Sequence, residues 1–461
     1  MREIFSYKGL FWLPENPDDK VSGTLSFSPE DGITLELIGF LGSRRSSAQL
    51  FETKIINGFS TNGKKLSLFK CYESNRTASY PGIETSIIQA NYLFVGANFI
   101  NEDEICFNKV AIKLKNLDSW LGISGFDIQY NQAEHSTNIY YKLPQPIEFK
   151  INSGYKAKFE FISSGPSISI YTRKASIEQS VYLILEPLDK TDRHFKELLK
   201  QTHTFQMFIT FATFTASFPL EIIFYSPRYF IEFDSKKIPE EIQLYYTTSI
   251  KPKNKEIFHW DLLFSYQDIE KNFKVIINNW YTQHDKINSI LGLFLVNFYN
   301  PGIFNVNRFL NIAQALETFH RRFKKNNVLP KNQHKERLKT IINSVDKKFK
   351  EWLKQKLSFS NEPTLKERID ELLKDYSNQT IQKLIKDFDN FSKLVKDSRN
   401  YYTHYDKSLE KKAAKGEDLY YLTERMKVLL TCCLLNVIGF DNNLIQELLK
   451  RNKYRLYNHL Y

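Results

Sequence analysis

The chain has 461 residues, room for two or three domains with substantial cores. Its net charge of +12 is unevenly placed: residues 1–250 carry 26 Lys+Arg against 28 Asp+Glu, and residues 251–461 carry 38 against 24, so a polyanion would most simply meet the second half, the more common alternative for a charge run being a solvated Lys-rich helical surface. Cys71, Cys106, Cys432 and Cys433 form no C-x-x-C pair, which argues against a zinc site or a disulfide framework and fits a reducing cytoplasm.

From residue 1 to about 190, short alternating runs are separated by turn residues. Gly23–Phe27 and Ile33–Leu37 flank Pro29-Glu30-Asp31-Gly32, which predicts a hairpin. Similar runs at 66–72, 86–95, 105–115, 137–142, 156–162, 167–172 and 180–185 predict a sandwich or a curled antiparallel sheet. Gly58 to Lys65 nearly matches a phosphate-binding loop. Lysine stands where the magnesium-coordinating hydroxyl is required, and Asn62-Gly63 between two strand-like runs reads as a hairpin turn. Residues 191–216 predict a helix opened by Asp192. The most apolar stretch, 205–225, is interrupted by polar residues and broken by Pro219 and Glu221, so it reads as a buried helix running into a strand, not a membrane span. Residues 220–250 return to strand character, and Pro252-Lys253-Asn254-Lys255 suggests a boundary. The first residues show no basic-then-apolar leader pattern, so a cytoplasmic protein is expected.

Beyond 257 the period becomes helical, although 257–281 fits no single element. Helices are predicted at 285–299 and 304–325, broken by Pro301-Gly302, and Phe309, Ile312, Ala313, Leu316, Phe319 and Phe323 make an apolar stripe on the second. His284-Asp285 reads as a loop, without the further ligands a metal phosphohydrolase needs. Residues 321–356 hold 13 Lys+Arg against 3 Asp+Glu. Helices at about 335–357 and 364–375 follow, the latter capped by Thr364 with Glu367 three residues on. A longer helix buries Ile381, Leu384, Ile385, Phe388, Phe391 and Val395. At 100° per residue Arg399 points along the Ile381 direction, with Thr403, Asn400 and His404 turned about 40°, 100° and 140° from it. A nearly all-apolar helix at 417–438 and a short one opened by Asp441 complete the chain.

Arg399-Asn400-Tyr401-Tyr402-Thr403-His404 sets a guanidinium and an imidazole five positions apart at a helix end. A guanidinium holds phosphate and an imidazole moves a proton, which suffices for RNA cleavage without a metal. Chance alone yields about one such spacing in a chain of this composition. Without further context the pair reads as a helix-end ion pair and a histidine favoured by the dipole.

Three segments together supply the context. Lys8-Gly9-Leu10-Phe11-Trp12-Leu13-Pro14-Glu15, with Gly23-Thr24-Leu25 and Leu35-Glu36-Leu37-Ile38-Gly39, is similar to the start of the β-rich N-terminal domain of the ApeA-like HEPN proteins of anti-phage defence. Ala315-Leu316-Glu317-Thr318-Phe319-His320 is similar to a motif in the first HEPN helices, and Arg399 to His404 matches the R-N-x-x-T-H form of the nuclease motif. The resemblance spans essentially the whole chain.

It implies an α+β multidomain protein: a β-rich sensor or regulatory domain (1–250), a connecting segment (251–284) and an all-α HEPN bundle (285–461). It implies a metal-independent endoribonuclease of abortive infection, with no cofactor, in which Arg399, His404 and Asn400 are catalytic. RNA is the expected substrate, with tRNA a candidate. His320, Arg321, Arg322 and Tyr402 are candidate RNA contacts, and Glu317 and Thr403 candidate supports of the site. The bland counterparts are a solvated helix edge for 320–322 and packing for Tyr401, Tyr402 and Tyr405. A homodimer or higher oligomer through the HEPN bundle, a phage protein as trigger and no membrane association are also expected. The alternative is a catalytically silent HEPN module that dimerises or binds RNA. A carbohydrate-binding β protein with a helical tail would leave the basic second half unexplained.

Overall fold

Alternation of apolar and polar residues drives the first six strands into a closed sheet. In the computed structural model, which describes residues 4–42, 52–77, 80–169, 173–234, 236–247, 257–258, 261–385, 388–452 and 460, these are β1 (Phe5–Leu13), β2 (Asn16–Ser28), β3 (Gly32–Ile38), β4 (Glu52–Ser60), β5 (Lys65–Thr77) and β6 (Thr85–Val95). They run in the order β6-β3-β2-β1-β4-β5, and β5 pairs back onto β6, so an antiparallel barrel closes on itself. Phe11, Leu25, Phe27, Leu35, Ile56 and Leu68 fill its interior. The expected hairpin pairs Gly23 with Leu37 through Ser28 with Gly32, whose φ of +81° suits a glycine. Asn62-Gly63 turns the chain between β4 and β5, so the phosphate-loop near-match is a hairpin turn.

The sheet continues from β6 through later strands. In chain order come β7 (Cys106–Phe107), β8 (Lys109–Leu114), α1 (Leu117–Leu121), β9 (Phe126–Asn131), β10 (Ser136–Tyr141), β11 (Ile147–Ile151), β12 (Tyr155–Ser169) and β13 (Lys174–Pro187). After them come β14 (Arg193–His194), α2 (Phe195–Thr213), β15 (Pro219–Tyr225), β16 (Phe230–Phe233), β17 (Lys236–Pro239), β18 (Ile242–Tyr246) and α3 (Tyr266–Ile269). The order β11-β12-β13-β8-β15-β18-β6 joins six of these strands to the barrel, and β9 with β10, β7 with β14 and β16 with β17 form separate pairs. Phe195 of α2 meets Phe69 and Phe94 edge-on, and Trp120 meets Phe205 and Phe208 the same way. The apolar stretch 205–225 is therefore a buried helix followed by a strand, as its polar interruptions suggest. Asp192 does not open α2. It pairs with Arg228 at 3.0 Å, residues 193–194 form a short strand against β7, and His194 caps the helix. The Pro252 to Lys255 boundary lies outside the described residues.

Two compact units result, Met1–Glu270 and Lys271–Tyr461. The second is helical: α4 (Phe273–Tyr299), α5 (Asn305–Phe323), α6 (Lys331–Asn343), α7 (Lys350–Lys356), α8 (Leu365–Tyr376), α9 (Gln379–Leu384), α10 (Phe388–His404), α11 (Gly416–Val437) and α12 (Asn442–Arg451). Helices α5 and α11 form its centre, packing on each other and on α4 and α8. Thr364 and Glu367 form the expected capping box, and Asp441 accepts from the Leu444 N–H at 2.9 Å.

Three expectations change. His284-Asp285 lies inside α4, with His284 buried, not in a loop. The helix expected at 335–357 breaks after Asn343, because Asp346 leaves helical geometry and caps the next turn. The helix expected through 381–404 is two, since Ile385 ends α9 at φ −91°, ψ +91°. The direction of Arg399 must therefore be read from α10 alone.

Candidate functional site

Helix α10 buries Phe391, Val395 and Ser398 and leaves Arg399 and Asn400 half-buried on its flank. The helix ends at His404 because Tyr405 turns to φ +52° and returns its N–H to the Tyr401 carbonyl. His404 is therefore the last helical residue. Its side chain is exposed and makes no hydrogen bond among the described residues.

Helix α5 presents the facing wall. Leu310, Gln314, Glu317, Thr318 and Arg321 recur at three- and four-residue spacing, so they share one side of that helix. With Arg399 and Thr403 of α10 they line a cavity of about 410 Å³. Glu317 lies between two guanidiniums, 3.9 Å from Arg399 Nη2 and 3.3 Å from Arg321 Nη2. The Arg399 Nη1 donates to Asn400 Oδ1 at 3.2 Å, and Thr403 Oγ1 donates to the Arg399 carbonyl at 2.7 Å. Asn400 is thus turned toward Arg399, not toward His404.

Behind the cavity lies a charge network whose centre, Arg368 and His320, is buried. Arg321 reaches Glu362 at 2.8 Å, and Glu362 accepts from Arg368 at 3.3 Å. The fully buried Arg368 also donates to Asn326 Oδ1 at 2.6 Å and to His320 Nδ1 at 2.9 Å. A guanidinium can only donate, so Nδ1 is the acceptor and Nε2 carries the proton, which it donates to Glu371 at 2.7 Å. Burial holds the imidazole below its ordinary pKa, with Glu371 pulling the other way.

These contacts sort the candidates. Arg399, Thr403, Glu317 and Arg321 share the cavity wall. His320 is fully buried in the network, so neither the RNA-contact reading nor the solvated-edge reading fits it. The Arg322 Nη1 donates to the Lys286 carbonyl at 2.5 Å. Tyr402 donates to the Ala414 carbonyl at 2.9 Å and meets Phe309 edge-on, a packing role. Sequence reasoning missed Gln314 and Thr318, which the helical spacing from Glu317 could have supplied, and Glu362, which no local pattern marks. Among the described residues no group of three or more His, Cys, Asp or Glu could hold a metal, and no helix is long and apolar enough to cross a membrane.

Comparison with known proteins assigns both units. Residues 6–280 match the family model described as ApeA N-terminal domain 1, and residues 310–444 match the one described as Apea-like HEPN. No curated protein and no solved structure matches.

Proposed function

The chain belongs to the ApeA-like HEPN family of anti-phage defence proteins, and from that premise we propose that it is a metal-independent endoribonuclease acting through Arg399 and His404. HEPN domains are generally ribonucleases. The observation that carries the reading here is Arg399 on the wall of a polar cavity, with His404 exposed at the end of the same helix.

The chemistry follows from these groups. One His404 accepts the proton of a ribose 2′-OH as O2′ attacks phosphorus. The P–O5′ bond breaks, and a protonated His404 from a second copy gives its proton to the leaving O5′. Arg399 stabilises the charge that builds on the phosphoryl oxygens, and Arg321 adds a second cation at the same cavity. Pairing of two HEPN bundles in a homodimer supplies both imidazoles. The products carry a 2′,3′-cyclic phosphate and a 5′-OH, and DNA, lacking the 2′-OH, is not cut. The β-rich unit restrains the nuclease until a phage component is recognised.

The test compares cells expressing wild type, Arg399→Ala and His404→Ala under phage challenge. Wild type alone should arrest growth and fragment RNA, leaving 2′,3′-cyclic phosphate ends. A folded His404→Ala protein that protects as well as wild type makes the bundle a silent binding or assembly module. Deletion of residues 1–250 with unchanged trigger dependence removes the regulatory role.

A further inference from the structure

The segment between α5 and α8 is the least buried part of the helical unit. No residue of α6, of α7 or of the 3-10 turn at Lys347–Phe349 between them is buried. The two helices lean on each other through half-buried Leu338, Ile342, Leu353 and Leu357. Asn361 closes the base of the hairpin. Its side chain accepts from the Leu329 N–H at 2.9 Å and donates to the Leu329 carbonyl at 3.0 Å, and its carbonyl accepts from the Val328 N–H at 2.8 Å. A loop pinned at its root and free along its length has the form of an arm.

Its charge is not neutralised from within. Residues 331–356 carry nine Lys and Arg against Glu336, Asp346 and Glu351. Among the described residues only Lys348, 4.0 Å from Asp346, and Lys354, 2.6 Å from Glu351, meet a carboxylate. Two aromatic rings stand between the cations, Phe349 at 48% and Trp352 at 58% exposure, with Lys348 Nζ 4.9 Å from the Phe349 ring centroid, and Phe359 follows them at 75%. Free cations interleaved with exposed rings are what a single-stranded nucleic acid needs, phosphates meeting lysines and bases stacking on rings. A helix lying in a membrane surface presents one continuous apolar face instead, whereas Leu338, Ile342, Leu353 and Leu357 here are half-buried and Ile341, 38% exposed, is the one aliphatic side chain of the two helices left in water.

We propose that the helical hairpin of residues 331–357 is a docking arm for a single-stranded stretch of RNA, its lysines on the phosphates and Phe349 and Trp352 on the bases. It rests on the ribonuclease reading for the choice of RNA as the polyanion. The arm supplies affinity that the small cavity at Arg399 does not.

The test measures binding, not cleavage. The full chain is titrated with a fluorescent 2′-O-methyl oligouridylate of about 20 nucleotides, which has no free 2′-OH to react. Replacing Lys335, Lys339, Lys347 and Lys350 together by Gln should weaken binding about 10²–10³-fold near 0.1 M salt and flatten the log–log salt slope by about 3. Trp352→Ala should weaken binding about tenfold with little change of slope. Vesicles of phosphatidylserine and phosphatidylcholine run in parallel. Equal affinity and slope in all proteins, or absence of binding by wild type, overturns the arm. Loss of vesicle binding with RNA binding unchanged replaces RNA by a lipid surface. Cleavage of an unmodified strand is followed separately. A wild type that binds through the arm and never cuts refutes the ribonuclease reading alone, whereas an active enzyme whose arm variants bind normally refutes the arm alone.

Discussion

The cavity between α5 and α10 and the arm of residues 331–357 belong to one helical unit and use arginine and lysine in opposite ways. At the cavity every guanidinium is held: Arg399 and Arg321 by Glu317, Arg321 and Arg368 by Glu362. On the arm most cations have no carboxylate. A reacting group needs a fixed position, which neighbouring carboxylates and planar guanidinium geometry supply. A docking surface needs unspent charge, which those carboxylates would cancel. On the proposed reading, the shared basicity of this half of the chain would serve two functions.

The largest expected effect separates them kinetically. His404→Ala or Arg399→Ala should lower kcat on a single-stranded RNA by about 10²–10⁴-fold with KM little changed. The fourfold Lys→Gln arm variant should raise KM and leave kcat near wild type. The reverse pattern, measured by steady-state cleavage, would dissolve the distinction.

Stability should divide the same way. Arg368→Ala leaves His320, Asn326 and Glu362 without their buried donor and should cost about 3–5 kcal/mol in denaturant unfolding. The arm variant should stay within about 0.5 kcal/mol of wild type, because Lys335, Lys339 and Lys347 are exposed, Lys350 is half-buried and none of the four meets a carboxylate among the described residues. Equal losses would mean that the arm is part of the core.

A smaller effect concerns pH. Folding holds His320 below its ordinary value of 6.5, among Arg368, Lys324 and Glu371. Its neutral form is the one the fold accommodates, so its full contribution is present above 6.5. As pH falls below that value the unfolded chain takes up a proton that the folded chain resists, and stability declines until the folded-state pKa is reached. Thermal melting from pH 7.5 to 5.5 should show this slope, and a folded His320→Gln protein should show less of it.

The smallest concerns the return from the arm. Thr364→Ala removes the cap of α8 and should cost about 1 kcal/mol by the same melting measurement, without altering the cavity cations.

Much of this was legible in the chain itself. The Asp31-Gly32 hairpin, the Thr364–Glu367 capping box, the Asp441 cap and the buried stripe of α5 are local patterns, set within one turn or one pair of strands. The Arg399 to His404 spacing was visible for the same reason. Breaks were harder to see: a stripe continuing through Ile385 has helical spacing whether or not the backbone stays helical there.

What the sequence by itself determined is therefore many of the elements, several of their caps and the composition of each half. Only the tertiary structure decided that β5 returns to β6 and closes the barrel, that β18 lies between β15 and β6, and that Glu317 meets Arg399 across two helices. It also sealed His320 inside the bundle while leaving Lys335 and Lys339 in water. The physical reason is range. Backbone hydrogen bonding and side-chain period act over a few residues, whereas burial and ion pairing depend on which distant surfaces cover one another.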